Sequence, residues 1–118
     1  MAFMHTRIQV KDYDADPLNY HGKLPARTVA ELSRAIDGYP DAVPSFKLPM
    51  LILHGSSDRL VPIAGSQMVA DRTGSEDKTF KAYDGLFHEI LNEPERQDVL
   101  DDIAAWLDER FEQPAAAG

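Results

Sequence analysis

The run "MLILH" at residues 50–54 constrains the fold of this chain more than any other stretch. It is short, continuous and apolar, with Pro49 before it and Gly55 behind it. Five residues are too few for a self-standing helix, and the lack of polar alternation leaves neither face for water. Such a run fits a strand covered on both faces, as in a parallel sheet. A second strand, "KTFKAY" at 78–83, is more polar. Its Lys78 and Lys81 suit a sheet edge, where charge discourages pairing with other chains. Residues 63–73 between them read as a helix ended by Gly74. Strand, helix, strand in that order predicts a right-handed parallel unit with a crossover helix.

The flanking segments are read by the same rules. Residues 1–24 carry little regular pattern, and "KDYDADPLNYHG" is polar and turn-rich. From Pro25 the pattern turns helical, with Val29, Leu32 and Ile36 at spacings of three and four. Gly38 and Pro40 are expected to stop that helix. "DAVPSFKLP" reads as a linker and "DGLFHEILNE" as a loop. A last helix is expected behind Asn92 as N-cap, with Pro94 in its first turn and Glu95 three residues on. Val99, Leu100, Ile103, Trp106, Leu107 and Phe111 give it one apolar face. The expected organisation is an irregular segment 1–24, an α/β segment 25–113 and a disordered tail 114–118.

Composition excludes some functions. The net charge is -8, without long blocks of one sign. Nothing here neutralises phosphates, so neither nucleic acid nor an anionic membrane is an expected partner. The chain has no cysteine, which excludes disulfides, thiolate chemistry and cysteine metal sites. No run approaches membrane-spanning length, and "MAFMHTRIQV" lacks a signal-peptide core. The default expectation is a cytoplasmic protein.

In open parallel sheets, ligand chemistry sits outside the C-terminal ends of the strands. Asp58 lies just past the first strand and His88 just past the second. A carboxylate that accepts a hydrogen bond from one imidazole nitrogen fixes the tautomer and leaves the other nitrogen ready to take a proton. On the residues alone two other readings stay open: Asp58 as a turn former after Gly55, and His88 as an ordinary loop residue. His54, Asp58 and His88 offer metal-ligand chemistry, but no H-x-x-x-H or H-E-x-x-H spacing supports it, and no metal is expected. His5 and His21 fit no pattern and read as solvated.

"LPMLILHGSSDRLVPIAGS" and "KAYDGLFHEILNEPERQDVLDDIAAWL" together resemble the C-terminal part of an α/β-hydrolase. The likeness is greatest to the bacterial monoacylglycerol lipase group (lysophospholipase-like, serine aminopeptidase S33). "DADPLNYHGKLPARTVAEL" is similar to the stretch where that group's chain leaves its lid and returns to the core, which makes 1–24 the end of a lid-like segment. The resemblance implies parallel strands with flanking helices. It assigns Asp58 and His88 to two of the three triad positions, in the order the fold uses. It also implies that Leu86 and Phe87 line an acyl pocket, although plain packing accounts for them equally. Leu18 and Tyr20 carry the same two readings.

The departure from the family pattern is large. The nucleophile elbow is a G-x-S-x-G on a strand-to-helix turn, and no such pentapeptide occurs in the 118 residues. Ser56 and Ser57 are near Asp58 but belong to the acid loop. The expectation is therefore the Asp/His part of a serine hydrolase acting on a lipid or glycerol ester, without cofactor, whose serine lies elsewhere. The alternative is a non-catalytic, truncated α/β-hydrolase module that acts in protein association. Strand 50–54 would keep one apolar edge unpaired. A homo-oligomer, or an N-terminal half supplied separately, is expected to cover it.

Overall fold

The structure, a computed structural model, describes residues 7–111. His5 and the tail 114–118 lie outside the described residues. The elements in chain order are α1 (Arg7–Ala15), α2 (Ala26–Ala42), a 3-10 turn (Val43–Ser45), β1 (Met50–Gly55), α3 (Ile63–Arg72), β2 (Lys78–Tyr83) and α4 (Arg96–Phe111). β1 and β2 pair in parallel, from Met50 opposite Lys78 to Gly55 opposite Tyr83. The crossover expected between them is α3, which follows Pro62 and closes with the Thr73 N–H donating to the Val69 carbonyl.

Four local features differ from the sequence reading. First, α1 forms where no apolar period marks it. Its C-terminal end is held by polar bonds: the Asn19 amide donates to the Tyr13 carbonyl, and the Leu18 N–H to Asp16 Oδ1. Second, α2 runs through Gly38 and Pro40 to Ala42. Proline removes one ladder bond, but the Val43 N–H still reaches the Tyr39 carbonyl, and the Val43 side chain is fully buried. That anchor holds the last turn. Third, α4 starts at Arg96, four residues after Asn92. The Asn92 amide turns back to Glu89, and Glu93 is buried with Oε1 accepting the Phe87 N–H. Fourth, Met50–Leu53 are half-buried instead of covered on both faces, because among the described residues the sheet has only two strands.

The core lies between β2 and α4. Tyr83, Leu86 and Val99 are buried together, with Leu53, Ile90 and Ile103 packed against them. Polar contacts fix α4 in place. The Tyr83 hydroxyl donates to Asp102 Oδ2 at 2.7 Å, and the Lys81 ammonium pairs with the same carboxylate. Lys81 thus ties β2 to the last helix as well as marking an edge. Further along, the Arg110 guanidinium pairs with Asp77 and lies 3.7 Å from the Trp106 ring centroid.

Much apolar surface finds no cover. The stripe Val29, Leu32 and Ile36 is present on α2, but Leu32 and Ile36 are 58% and 60% exposed, and no residue of α2 is buried. The Cα radius of gyration is 17.2 Å, against about 13 Å for a compact domain of this length.

Gly55 is the residue that lets the two strand ends close on one another. A Cβ there would run into the backbone carbonyls of Leu86 and Phe87. Those atoms belong to the segment leading directly into His88 and cannot swing away as a side-chain tip could. Gly55→Ala is expected to destabilise the chain by about 1–3 kcal/mol, the usual cost of overpacking. The check is a urea titration, with a lower midpoint and an unchanged slope.

Candidate active site

The loops after β1 and β2 are stitched together before any site side chain is considered. The Ser56 N–H donates to the Tyr83 carbonyl at 2.8 Å, and the Ser57 N–H to the Leu86 carbonyl at 2.9 Å. The Ser56 hydroxyl donates to Asp84 and accepts the Gly85 N–H at 2.9 Å. Gly85 has φ of 78°, a left-handed conformation that glycine adopts without strain. These bonds carry the acid loop against the histidine loop.

Asp58 is then fixed on both of its oxygens. Oδ1 accepts the N–H groups of Leu60 (2.8 Å) and Val61 (3.0 Å). Oδ2 lies 2.9 Å from His88 Nδ1. The Asp58 side chain is 3% exposed and that of His88 36%. Burial pushes the Asp58 carboxyl up. The Val61 N–H, the hydrogen bond from His88, the Leu60 N–H and the His88 charge together outweigh it and hold the carboxyl below its ordinary value. As an anion Asp58 can only accept, so His88 carries a proton on Nδ1. In neutral imidazole Nε2 is then the basic nitrogen. Asp58 thus caps the turn that follows it through Oδ1 and meets His88 through Oδ2.

A depressed carboxyl pKa has a consequence for stability. The contribution is fully present above the unfolded-state value, near 3.8, and is lost as pH falls through the lower folded-state value. Asp58→Asn is therefore expected to flatten part of the acid side of the stability curve. The check is the urea midpoint of both proteins from pH 6 down to pH 2.5. A midpoint difference between the two that is constant over that range would contradict the assignment.

Asp58 and His88 share with Leu53, His54, Ser66 and Ile90 the lining of an open cavity of about 250 Å³. A larger one, about 430 Å³, lies where α1 meets the loop after β2. Its lining includes Asp12, Asp16, Glu89 and Arg96 but neither Asp58 nor His88. Leu86, read either as pocket lining or as plain packing, is buried in the core, and neither it nor Phe87 borders the 250 Å³ cavity. Leu18 and Tyr20 are exposed, and His21 stands edge-on to Tyr13.

The sequence reading overlooked Ser66 and the true setting of His54. His54 is buried, with Nδ1 2.8 Å from Ser66 Oγ and Nε2 3.0 Å from the Val61 carbonyl. The same Nε2 is 3.4 Å from Asp58 Oδ2. Both ring nitrogens are thus engaged in hydrogen bonds within the fold. The signal that could have found Ser66 is its place one turn into the helix that follows the acid loop.

Comparison with known proteins places these features in context. The family described as "Serine aminopeptidase, S33" matches residues 2–95. A monoacylglycerol lipase of Mycolicibacterium smegmatis is 45% identical over 98 residues, which are 83% of this chain and 35% of that protein. A monoglyceride lipase of Rattus norvegicus is 35% identical over 89% of this chain and 35% of its own length. Among solved structures, a Paleococcus ferrophilus monoacylglycerol lipase superposes with a TM-score of 0.75 at 28% identity, over 92% of this chain and 42% of that one. The chain thus spans about a third of the length of the curated relatives it matches.

Proposed function

The chain belongs to the serine aminopeptidase S33 family of α/β-hydrolases, and from that premise we propose that it supplies the acid and base of a serine hydrolase acting on monoacylglycerols. The observation that carries the reading is the 2.9 Å contact between His88 Nδ1 and Asp58 Oδ2 at the ends of adjacent parallel strands. No G-x-S-x-G occurs in the 118 residues, so the serine of the completed site lies outside them.

In the completed site the serine hydroxyl attacks the ester carbonyl while His88 Nε2 takes its proton. The ester C–O bond then breaks, and His88 returns the proton to the departing glycerol oxygen. Water repeats the sequence on the acyl-serine and releases the fatty acid. Asp58 holds the imidazole in its Nδ1–H form and stabilises the imidazolium. Water reaches His88, whereas Asp58 is shielded, which suits a proton carrier backed by a fixed anion.

The second reading is a non-catalytic module that works by association. The exposed α2 stripe favours it. One experiment separates the two. In a chimera, this chain replaces the stretch it matches in the Mycolicibacterium smegmatis monoacylglycerol lipase. Hydrolysis of a monoacylglycerol that disappears with His88→Ala supports the hydrolase reading. A folded chimera without turnover favours the association module.

A further inference from the structure

A buried histidine one residue before the end of a strand needs partners for both ring nitrogens, and those of His54 are unusual. The Val61 carbonyl can only accept, so Nε2 of His54 carries a proton; in neutral imidazole Nδ1 then accepts from the Ser66 hydroxyl. Val61 is also the residue whose N–H donates to Asp58 Oδ1. One peptide unit away, Leu60 donates to the same oxygen. His54 Nε2 lies within 3.4 Å of Asp58 Oδ2, the oxygen that meets His88.

We infer that His54 is a positioning residue for Asp58, gripping the 58–61 turn through the Val61 carbonyl, which holds the proton on Nε2, and facing the carboxylate, with the Ser66 hydroxyl donating to Nδ1 and steadying the ring. The chain of contacts runs from α3 through His54 and Val61 to Asp58 and on to His88. Every link lies between 2.8 and 3.0 Å. The turn itself is short of other anchors. Arg59 and Leu60 are exposed, and Val61 is 44% exposed. Without the His54 bond, Leu60 and Val61 would be left to solvent, and the two N–H groups that orient the carboxylate would no longer be held in register. A carboxylate free to rotate would not fix His88 in one tautomer. His54 and Ser66 do not touch the reacting atoms, so their part is orientation alone.

The inference rests on the reading of Asp58 as the orienter of His88, but its test needs no turnover. Failure of the chimera and failure here are therefore told apart. The measurement is nitrogen-15 NMR of the histidine rings in the 118-residue chain, with amide exchange at Leu60 and Val61. In the unmodified chain His54 is expected as the Nε2–H form and His88 as the Nδ1–H form. In His54→Phe, His88 is expected to become a mixture of both forms. Exchange at Leu60 and Val61 is expected to speed up about tenfold, the loss of roughly one hydrogen bond, while the β1 amides keep their protection. A merely structural role would loosen β1 as well and leave the His88 form unchanged. His88 still locked in its Nδ1–H form in folded His54→Phe would overturn the inference, as would an Nδ1–H form of His54 in the parent. If His54→Phe does not fold, Ser66→Ala decides. A mixed His88 population with faster exchange at Val61 supports the inference, and unchanged signals overturn it.

Discussion

The 118-residue chain by itself is expected to turn over a short-chain chromogenic ester no faster than buffer does, and to take up no serine-directed phosphonate. It holds a carboxylate and an imidazole at 2.9 Å, but no nearby hydroxyl is built as a nucleophile, and that of Ser66 is bound to His54. The Ser56 hydroxyl is bound to Asp84 and Gly85, in a loop with no elbow. A nucleophile elbow is a sharp, strained turn, and among the described residues no non-glycine residue has positive φ. In the chimera the picture should invert. Asp58→Asn keeps the shape but reverses the hydrogen bond to His88, and a loss of about 10⁴-fold in kcat is expected from the wrong tautomer. Ser56→Ala and Ser57→Ala should leave kcat within a few-fold. Stoichiometric phosphonate labelling of the isolated chain, abolished by either serine substitution, would show a nucleophile in the acid loop and sink this part of the account.

The second large effect concerns association. Among the described residues β1 pairs with β2 alone, so its other edge carries no strand, and α2 turns Leu32 and Ile36 to solvent. An open edge and an apolar stripe are both surfaces that chains cover by pairing. The isolated chain is expected to sediment as a dimer or larger species at micromolar concentration. A two-fold pairing of β1 with its copy would give a four-stranded sheet, antiparallel at the centre. Burying a leucine or isoleucine side chain is worth about 1.5–3 kcal/mol. Leu32→Ser with Ile36→Ser is therefore expected to weaken association by at least about tenfold, without loss of helix by circular dichroism. A monodisperse parent monomer with strongly protected amides at 50–54 would contradict this.

What was legible in the sequence was whatever short-range pattern controls. "MLILH" and "KTFKAY" appear as the paired strands, α3 sits between them, and Asp58 meets His88 because each follows its own strand. The misreadings have a common physical origin. Pro40 signals a stop locally, yet burial of Val43, three residues further on, carries α2 past it. Asn92 has the chemistry of a cap, but Glu93 is drawn inward to the Phe87 N–H, which delays α4 to Arg96. α1 ends in polar bonds that leave no apolar period. His54 was left without a role because its partners, Val61 and Ser66, are seven and twelve residues away and only the folded crossover brings them to it. Of the two readings of Leu86, packing describes its place in the core with Tyr83 and Val99.

The central claim is that Asp58 and His88 act as one acid–base couple. It is tested most directly by a double-mutant cycle on kcat in the chimera, using Asp58→Asn, His88→Ala and both together. Residues that work as a unit lose activity non-additively. The account predicts that Asp58→Asn costs about four orders of magnitude beside an intact His88 and almost nothing once His88 is alanine. Two losses that multiply, or an Asp58→Asn protein with parental kcat, would contradict it.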